Sequence, residues 1–329
     1  MSTRQWRTLL RGVRGTALCL AVSLAQVAFA AYPDRPVRLV VPTSAGSGPD
    51  AVARLVAARM ATLLGQQVVV DNRAGANGVI ASELVARAVP DGYTVLITTG
   101  GHTINPHLYR KLPYDPITSF TPITLLLRSG GLFVVVTPTF GARTVAQLID
   151  MARATPGKIV YASAGVGNPT HLGGEMFSQA AGVRLTHVPY KGGGPAITDV
   201  IGGQVPLMFA SGAVAIPYLK SGRLRALGYT GLKRSEQLPD VPTLDESGLK
   251  GFEVNGWYGL YGPARMPSTI VNRLHESTRE AVRHPETRQA LAQLGMELAD
   301  LPPADFARFL VEDIARYGRV VKAAGIEPQ

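Results

Sequence analysis

The sequence has almost no cysteine: Cys19 alone in 329 residues. One thiol builds no intrachain disulfide framework, no C-x-x-C redox pair and no cysteine-rich zinc site. Tryptophan is nearly as scarce, with only Trp6 and Trp257, and aromatic residues make up 7% of the chain. There is no apolar run of the roughly 20 residues that a membrane-crossing helix needs. Nor is there a Lys/Arg run or a basic patch interleaved with aromatics, so the chain lacks the signature of a nucleic-acid binder. A G-x-S-x-G nucleophile elbow is missing, as are internal repeats and low-complexity tracts.

What is present begins at the N-terminus. Arg4, Arg7, Arg11 and Arg14, with no acid among them, precede the apolar stretch GTALCLAVSLAQVAFA, which ends in Ala28-Phe29-Ala30. A basic start, a short apolar run broken by Ser23 and Gln26, and an A-x-A end are the parts of a secretory signal peptide. Residues 1–30 are therefore expected to be removed after Ala30 during export. Cys19 leaves with them, and the loss of four arginines lowers the formal charge from +10 to +6. The remaining chain of about 299 residues is long enough for two domains. Its moderate positive excess suits an anionic ligand or an anionic surface.

Short apolar runs then alternate with helical patterns. VRLVVP (37–42), QVVVDN (67–72) and YTVLITT (93–99) read as strands, separated by helical patterns at 50–64 and 79–88. The theme repeats with strands at 131–138, 158–164, 184–190 and 205–211 and helices at 144–154, 169–181 and 195–201. Two long helical stretches, 268–284 and 303–324, close the chain. This alternation predicts an α/β protein of two domains, each a mainly parallel sheet flanked by helices, with a cleft between them.

The loop after the first strand, TSAGSGPDA (43–51), contains a literal G-x-G-x-x-A. As a dinucleotide fingerprint it has the right strand before it, the right helix after it, and Asp71 at the end of the second strand. Against that reading stand Pro49 and the export signal. As a local structure it is a capping box, in which Ser47 bonds the amide of Asp50 and the Asp50 carboxylate reaches back to the Ser47 amide. As a binding site it offers main-chain N–H groups from Ser44 to Gly48 at the positive end of a helix dipole. A second loop of the same kind, SAGVGNPTH (163–171), has Ser163, Gly165 and Gly167 after a strand, Asn168 as N-cap and Pro169 as the first helical residue. Two such helix starts at strand C-termini are placed to grip a small anion across a cleft.

The stretches YPDRPVRLVVP, VVVDNRAGANGVIASELVARAVPDGYTVL, NPHLYRKLPYDPITSFTPIT, YASAGVGNPTHLGGEMF, HVPYKGGGPAITDVIGGQVPLMF, LPDVPTLDESG and FEVNGWYGLYGPA resemble, in order, the Bug proteins, the extracytoplasmic solute receptors of tripartite tricarboxylate transporters. The resemblance spans the chain after residue 30. It implies a type II periplasmic-binding-protein fold, with domain 1 made of residues 31–129 plus 228–329 and domain 2 of residues 130–227. It also implies a monomer that binds a small organic carboxylate, a di- or tricarboxylate or an aromatic acid, and meets the membrane components of such a transporter, with no catalysis, cofactor, metal or nucleic acid.

Carried onto this sequence, the family's ligand loops fall on Thr43, Ser44, Ala45, Gly46, Ser47 and Asp50, and on Ser163, Gly165, Gly167, Asn168 and His171. Gly100, Gly101 and Tyr190-Lys191-Gly192 would line the cleft, and Ser211 ends the strand that completes it. Asp50 and His171 either touch ligand or order their loops. The sequence departs from the family pattern at Thr43, Ser47, Asn168 and Ala210; a missing acid at 210 fits a ligand without an ammonium group. His102 and His107 have no third partner at metal-ligand spacing.

Overall fold

The computed structural model describes residues 32–323 and 326–328. The expected signal peptide lies outside the described residues. Arg35–Gln329 form one unit that contains two sheets.

The first sheet is built from β1 (Val37–Val41), β2 (Val68–Asn72), β3 (Thr94–Thr99), β4 (Phe120–Ser129), β10 (Gly256–Pro263) and β11 (Met296–Leu301), in the order β11-β4-β10-β3-β1-β2. The second contains β5 (Leu132–Val136), β6 (Val160–Ser163), β7 (Thr186–Pro189), β8 (Leu207–Ser211) and β9 (Arg225–Tyr229), in the order β7-β6-β8-β5-β9. The helices that bear on the argument are α1 (Gly48–Leu64), α2 (Val79–Ala86), α3 (Gly101–Ile104), α4 (Val145–Ala154), α5 (Pro169–Ala181), α6 (Gly193–Ile201), α7 (Gly212–Lys220), α8 (Ser268–Arg283), α9 (Pro285–Gln293) and α10 (Pro303–Ala323).

The α/β architecture with two helix-flanked sheets is as the sequence predicts, but both sheets are mixed. Pairs β1–β2, β1–β3, β6–β7 and β6–β8 run parallel, while β10 and β5 are inserted antiparallel to their neighbours. The cause is topological. Parallel pairs come from strand-helix-strand units, whereas β4 passes straight into β5 of the other sheet through Gly130 and Gly131 alone. A strand that enters a sheet by such a crossing has no helix to return it to the parallel sense.

β5 shows why its sequence is uninterrupted LFVVV. Leu132, Val134 and Val136 belong to one buried cluster, and Phe133 and Val135 to the cluster on the opposite face. A strand covered on both sides has no reason to alternate, and each such side chain contributes about 1.5–3 kcal/mol by leaving water. Helix α8 is the contrasting case: Val271, Leu274, Thr278, Ala281 and Val282 are buried at helical spacing, while the opposite face is polar. α1 ends at left-handed Gly65 (φ +69), the usual conformation that releases the chain from a helix.

The chain returns from the second sheet through residues 230–255, and this crossing is fastened to the first. The amide of Leu132 donates to Thr230 Oγ1 (2.7 Å), and the Thr230 hydroxyl donates to the Val254 carbonyl (2.6 Å). A Cβ on Gly131 would lie 2.5 Å from Gly231 N, so the strands approach as closely as they do because neither residue has a side chain.

Candidate ligand-binding site

The loop between β1 and α1 holds itself together with its own donors. The Ser44 amide donates to the Lys191 carbonyl (3.4 Å), the Ser47 amide to the Ser44 carbonyl (3.3 Å) and the Gly46 amide to Asp50 Oδ2 (2.9 Å). The expected capping box is therefore not formed. Ser47 makes no side-chain cap bond. Its hydroxyl lies 3.1 Å from that of Ser44, and Asp50 reaches Gly46 instead because the loop turns back at left-handed Gly46 (φ +78). Asp50 is buried and also accepts from Asn72 Nδ2 (3.0 Å) and pairs with Arg54 (3.0 Å). Burial alone would raise its carboxyl; the bonds from Arg54, Gly46 and Asn72 outweigh burial and hold it below the ordinary carboxylate range. Asp50 orders the loop.

The dinucleotide reading loses its acid as well. Asp71, where a ribose-binding carboxylate would sit, accepts from Arg38 Nε (2.7 Å) and Arg73 Nε (3.1 Å).

The loop between β6 and α5 is self-satisfied in the same manner. The Gly167 amide donates to His171 Nδ1 (3.0 Å), the Gly165 amide to Ser163 Oγ (3.1 Å), the Ala164 amide to Thr170 Oγ1 (2.8 Å) and the Asn168 amide to the Gly165 carbonyl (3.1 Å). Asn168 caps α5 through Oδ1 and the Thr170 amide (3.1 Å), as its position before Pro169 predicts. Accepting at Nδ1 requires a His171 ring that is unprotonated there. Burial pushes His171 down, only partly opposed by Glu175. His187, whose ring stacks on His171 at 3.9 Å and whose Nε2 lies 2.6 Å from Ser163 Oγ, is pushed down to about 3, by burial first and by His171 second. His171 and Ser163 are buried loop supports.

Two adjoining chambers lie where these loops meet. The outer, of about 260 Å³, has walls that include Thr43, Asn77, Thr98, Thr99, Tyr109, Ala164, Gly165, Asn168, Tyr190 and Lys191. The inner, of about 60 Å³, shares Thr43, Thr99, Ala164 and Asn168 with it and is closed by Leu132, Met208, Ser211, Trp257 and Tyr258. Gly48 of α1, Pro169 and Thr170 of α5, Gly193 of α6 and Ser211, the residue before α7, all line the inner chamber. Four helix N-termini thus converge on one small space. Among the described residues, none of those lining it carries a charge, and the outer chamber has one charged side chain, Lys191. Each helix start favours an anion by about 0.3–2 kcal/mol, more where the site is dry.

The wall opposite the β6–α5 loop is the turn Gly75–Gly78. All four of its residues have positive φ: Gly75 (+132), Ala76 (+46), Asn77 (+49) and Gly78 (+87). Left-handed Ala costs about 1–2 kcal/mol and left-handed Asn less, strain of the sort found at ligand sites. The turn is held by Asn77 Nδ2 donating to Asn105 Oδ1 (2.8 Å) and Asn105 Nδ2 donating to the Asn77 carbonyl (3.2 Å).

Of the residues singled out in the sequence, Thr43, Gly165, Asn168 and Tyr190 line the outer chamber, and Thr43, Asn168 and Ser211 the inner. Ser44 and Ser47 lie behind the wall against Gly192, where a Cβ would sit 2.7–2.8 Å from their hydroxyls. Ala45 and Gly46 border a separate open groove beside Gly194 and Pro195. Gly100 packs on Pro169 and Trp257, Gly101 on Asn77, and Gly167 on Leu108. Those glycines bring the elements together without facing either chamber. The expectation that free loop amides would grip the anion is corrected: the amides of Ser44, Gly46, Ser47, Ala164, Gly165, Gly167 and Asn168 are all engaged, because a loop buried at a junction must satisfy its own donors. His102 and His107 bond the carbonyls of Pro116 (2.9 Å) and Ile314 (2.7 Å).

Sequence reasoning missed the Gly75–Gly78 turn, Thr98–Thr99, Thr170, Met208 and the Trp257–Tyr258 pair. AGANG between a strand and a helix is a turn signal, and Thr98–Thr99 end a strand at the edge where α/β sheets bind ligands. Nothing local marks Tyr258.

Residues 52–326 match the sequence family described as Tripartite tricarboxylate transporter family receptor. The solved periplasmic binding protein BugD is 38% identical, covers 91% of this chain and 100% of its own, and superposes with a TM-score of 0.88. R. palustris Rpa4515 with adipate is 36% identical over 91% of this chain and 100% of its own, with a TM-score of 0.87. MatC (Rpa3494) from Rhodopseudomonas palustris with bound malate is 33% identical over 88% of this chain and 100% of its own, with a TM-score of 0.84. These are solute-binding receptors, not enzymes. With its two sheets meeting over a charge-poor chamber ringed by helix starts, the chain belongs to the family of extracytoplasmic receptors of tripartite tricarboxylate transporters.

Proposed function

We propose that this chain captures a small organic carboxylate, a di- or tricarboxylate or an aromatic acid, in the two-chambered cavity and presents it to the membrane components of a tripartite tricarboxylate transporter. The observation that carries this reading is the convergence of α1, α5, α6 and α7 on an inner chamber with no charged side chain. Oriented peptide dipoles attract an anion without a counter-ion whose desolvation would offset the gain. The adipate and malate held by two of its structural relatives are of the expected chemical class.

In this reading the protein works as a monomer in the periplasm after losing residues 1–30. Residues 31–129 plus 228–329 and residues 130–227 act as two lobes that rotate about the crossings at 130–131 and 230–255 and enclose the ligand. The bond from Ser44 N to Lys191 O and the fit of Gly192 against Ser44 and Ser47 would close last.

A panel of carboxylic acids tests the reading by thermal shift and by the emission of Trp257. That indole walls the inner chamber and donates Nε1–H to Asp313 (2.9 Å). Once residues 1–30 are gone it is the sole tryptophan. An acid present at one hundred times its Kd adds about 2.7 kcal/mol of stability, which raises Tm by several degrees. Stabilisation by NAD, and by no organic acid, would sink the proposal. The intact mass of exported protein, starting at Ala31, checks the processing site.

A further inference from the structure

Tyr258 lines the inner chamber, and no local structure explains the position of its hydroxyl. The residue is 4% exposed, and among the described residues no group bonds its Oη. Burial pushes its ionisation up, so it stays a donor at any working pH. The position a Cβ would take on Gly48, the first residue of α1, lies 3.1 Å from Tyr258 Oη and 3.1 Å from Ser211 Oγ. Both hydroxyls are therefore aimed at the same helix start from opposite sheets, β10 in the first and β8 in the second. A third hydroxyl, Thr43 Oγ1, is buried without a partner in the same wall.

A tyrosine hydroxyl that faces the chamber with no protein partner adds no hydrogen bond to the fold, and phenylalanine would fill the same ring volume. At the focus of four helix N-termini, that hydroxyl is placed for a ligand acceptor rather than for the fold.

We propose that Tyr258 is a ligand-binding residue, whose hydroxyl donates to the carboxylate end of the ligand seated in the inner chamber. This rests on the carboxylate-receptor reading above. It adds an orientation: one acid end lies inward, against Tyr258 and the start of α1, and the remainder of the molecule occupies the larger chamber beside Lys191. At about 60 Å³ the inner chamber has room for a few water-sized groups, enough for a carboxylate and its adjacent carbon. A ligand's aromatic ring or second acid end then belongs outside it.

The test is Tyr258→Phe, titrated calorimetrically alongside the unaltered protein with adipate, malate, citrate, hexanoate and benzoate. A hydrogen bond to a charged acceptor is lost, so affinity for every acid that binds the unaltered protein should fall by about 10- to 100-fold. The melting temperature of the ligand-free variant should equal or exceed that of the unaltered protein. A purely structural role would lower it. Equal affinity in the two proteins, or weakening confined to the acids with two or more carboxylates, overturns the role given to Tyr258 and leaves the receptor reading standing. No binding of any acid by the unaltered protein overturns both. Should Tyr258→Phe fail to fold, the hydroxyl is structural and the proposal falls; Ser211→Ala then shows separately, by a loss of affinity for the same acids, whether the inner chamber holds the acid end.

Discussion

Gly48→Ala separates binding from stability more cleanly than any change to a polar group. Gly48 opens α1 with ordinary helical geometry, so alanine there adds no backbone strain and gains up to about 1 kcal/mol of helix preference. Its methyl group would project to within 3.1 Å of Ser211 Oγ, 3.1 Å of Tyr258 Oη and 3.3 Å of Ala213 Cβ. Ser211 and Ala213 lie at the start of α7 beside the second sheet, while Tyr258 belongs to the first. The added group is thus a wedge between halves as well as a plug in the inner chamber, and its neighbours must retreat by a few tenths of an ångström. Overpacking of this degree costs about 1–3 kcal/mol. If the halves part when the site is empty, that cost falls on the liganded form alone. Kd should then rise by about 5- to 150-fold, while the ligand-free melting temperature is unchanged or slightly higher. Isothermal calorimetry with adipate and differential scanning calorimetry of the empty protein give the two numbers. A variant that melts several degrees lower and binds as tightly as before would refute the argument, because the wedge would then be felt with the halves together at all times.

Other expectations follow from the same contacts. Thr230→Val removes the hydroxyl that joins the two crossings and strands the Leu132 amide and the Val254 carbonyl, so unfolding in urea should show a loss of about 1–3 kcal/mol. Acid should weaken the protein early. His187 titrates at about 3 when folded but near 6.5 when unfolded, so the unfolded chain takes up a proton that the folded one refuses. Stability should therefore fall as pH drops below about 6.5, by at most about 1.4 kcal/mol per pH unit from this group; His187→Gln should flatten that slope in melting curves between pH 7 and 4. Asp50→Asn should act in the opposite window. Its carboxyl is depressed, so its contribution is complete above the ordinary carboxylate range and fades below it, and the variant should lose stability at neutral pH but converge with the unaltered protein in strong acid. Lys191→Met removes the outer chamber's one charge and should weaken adipate more than hexanoate in parallel titrations.

Local chemistry made much of this protein legible before any coordinates. Asn168 before Pro169 marks the start of α5, and the apolar run LFVVV marks a strand buried on both faces. The order of the motifs points to a receptor of tripartite transporters. Where local signals collide, the sequence does not mark the element. α7 carries Gly212 and Pro217 and so does not look helical, although Pro217 is accommodated within it. β4 contains Pro122, which argues against a strand, yet Pro122 sits next to a register shift and beyond the reach of β11.

What the sequence determines by itself is most of the helix starts and strands, because caps, glycines and apolar spacing act over a few residues. The tertiary structure alone decides that four of those starts meet in one chamber, that the loop amides are already engaged, and that Tyr258, 210 residues after Gly48, closes the space. Those facts depend on pairings between the sheets and across the crossings at 130–131 and 230–255, and the free energy of such long-range contacts leaves no period in the sequence from which to read them.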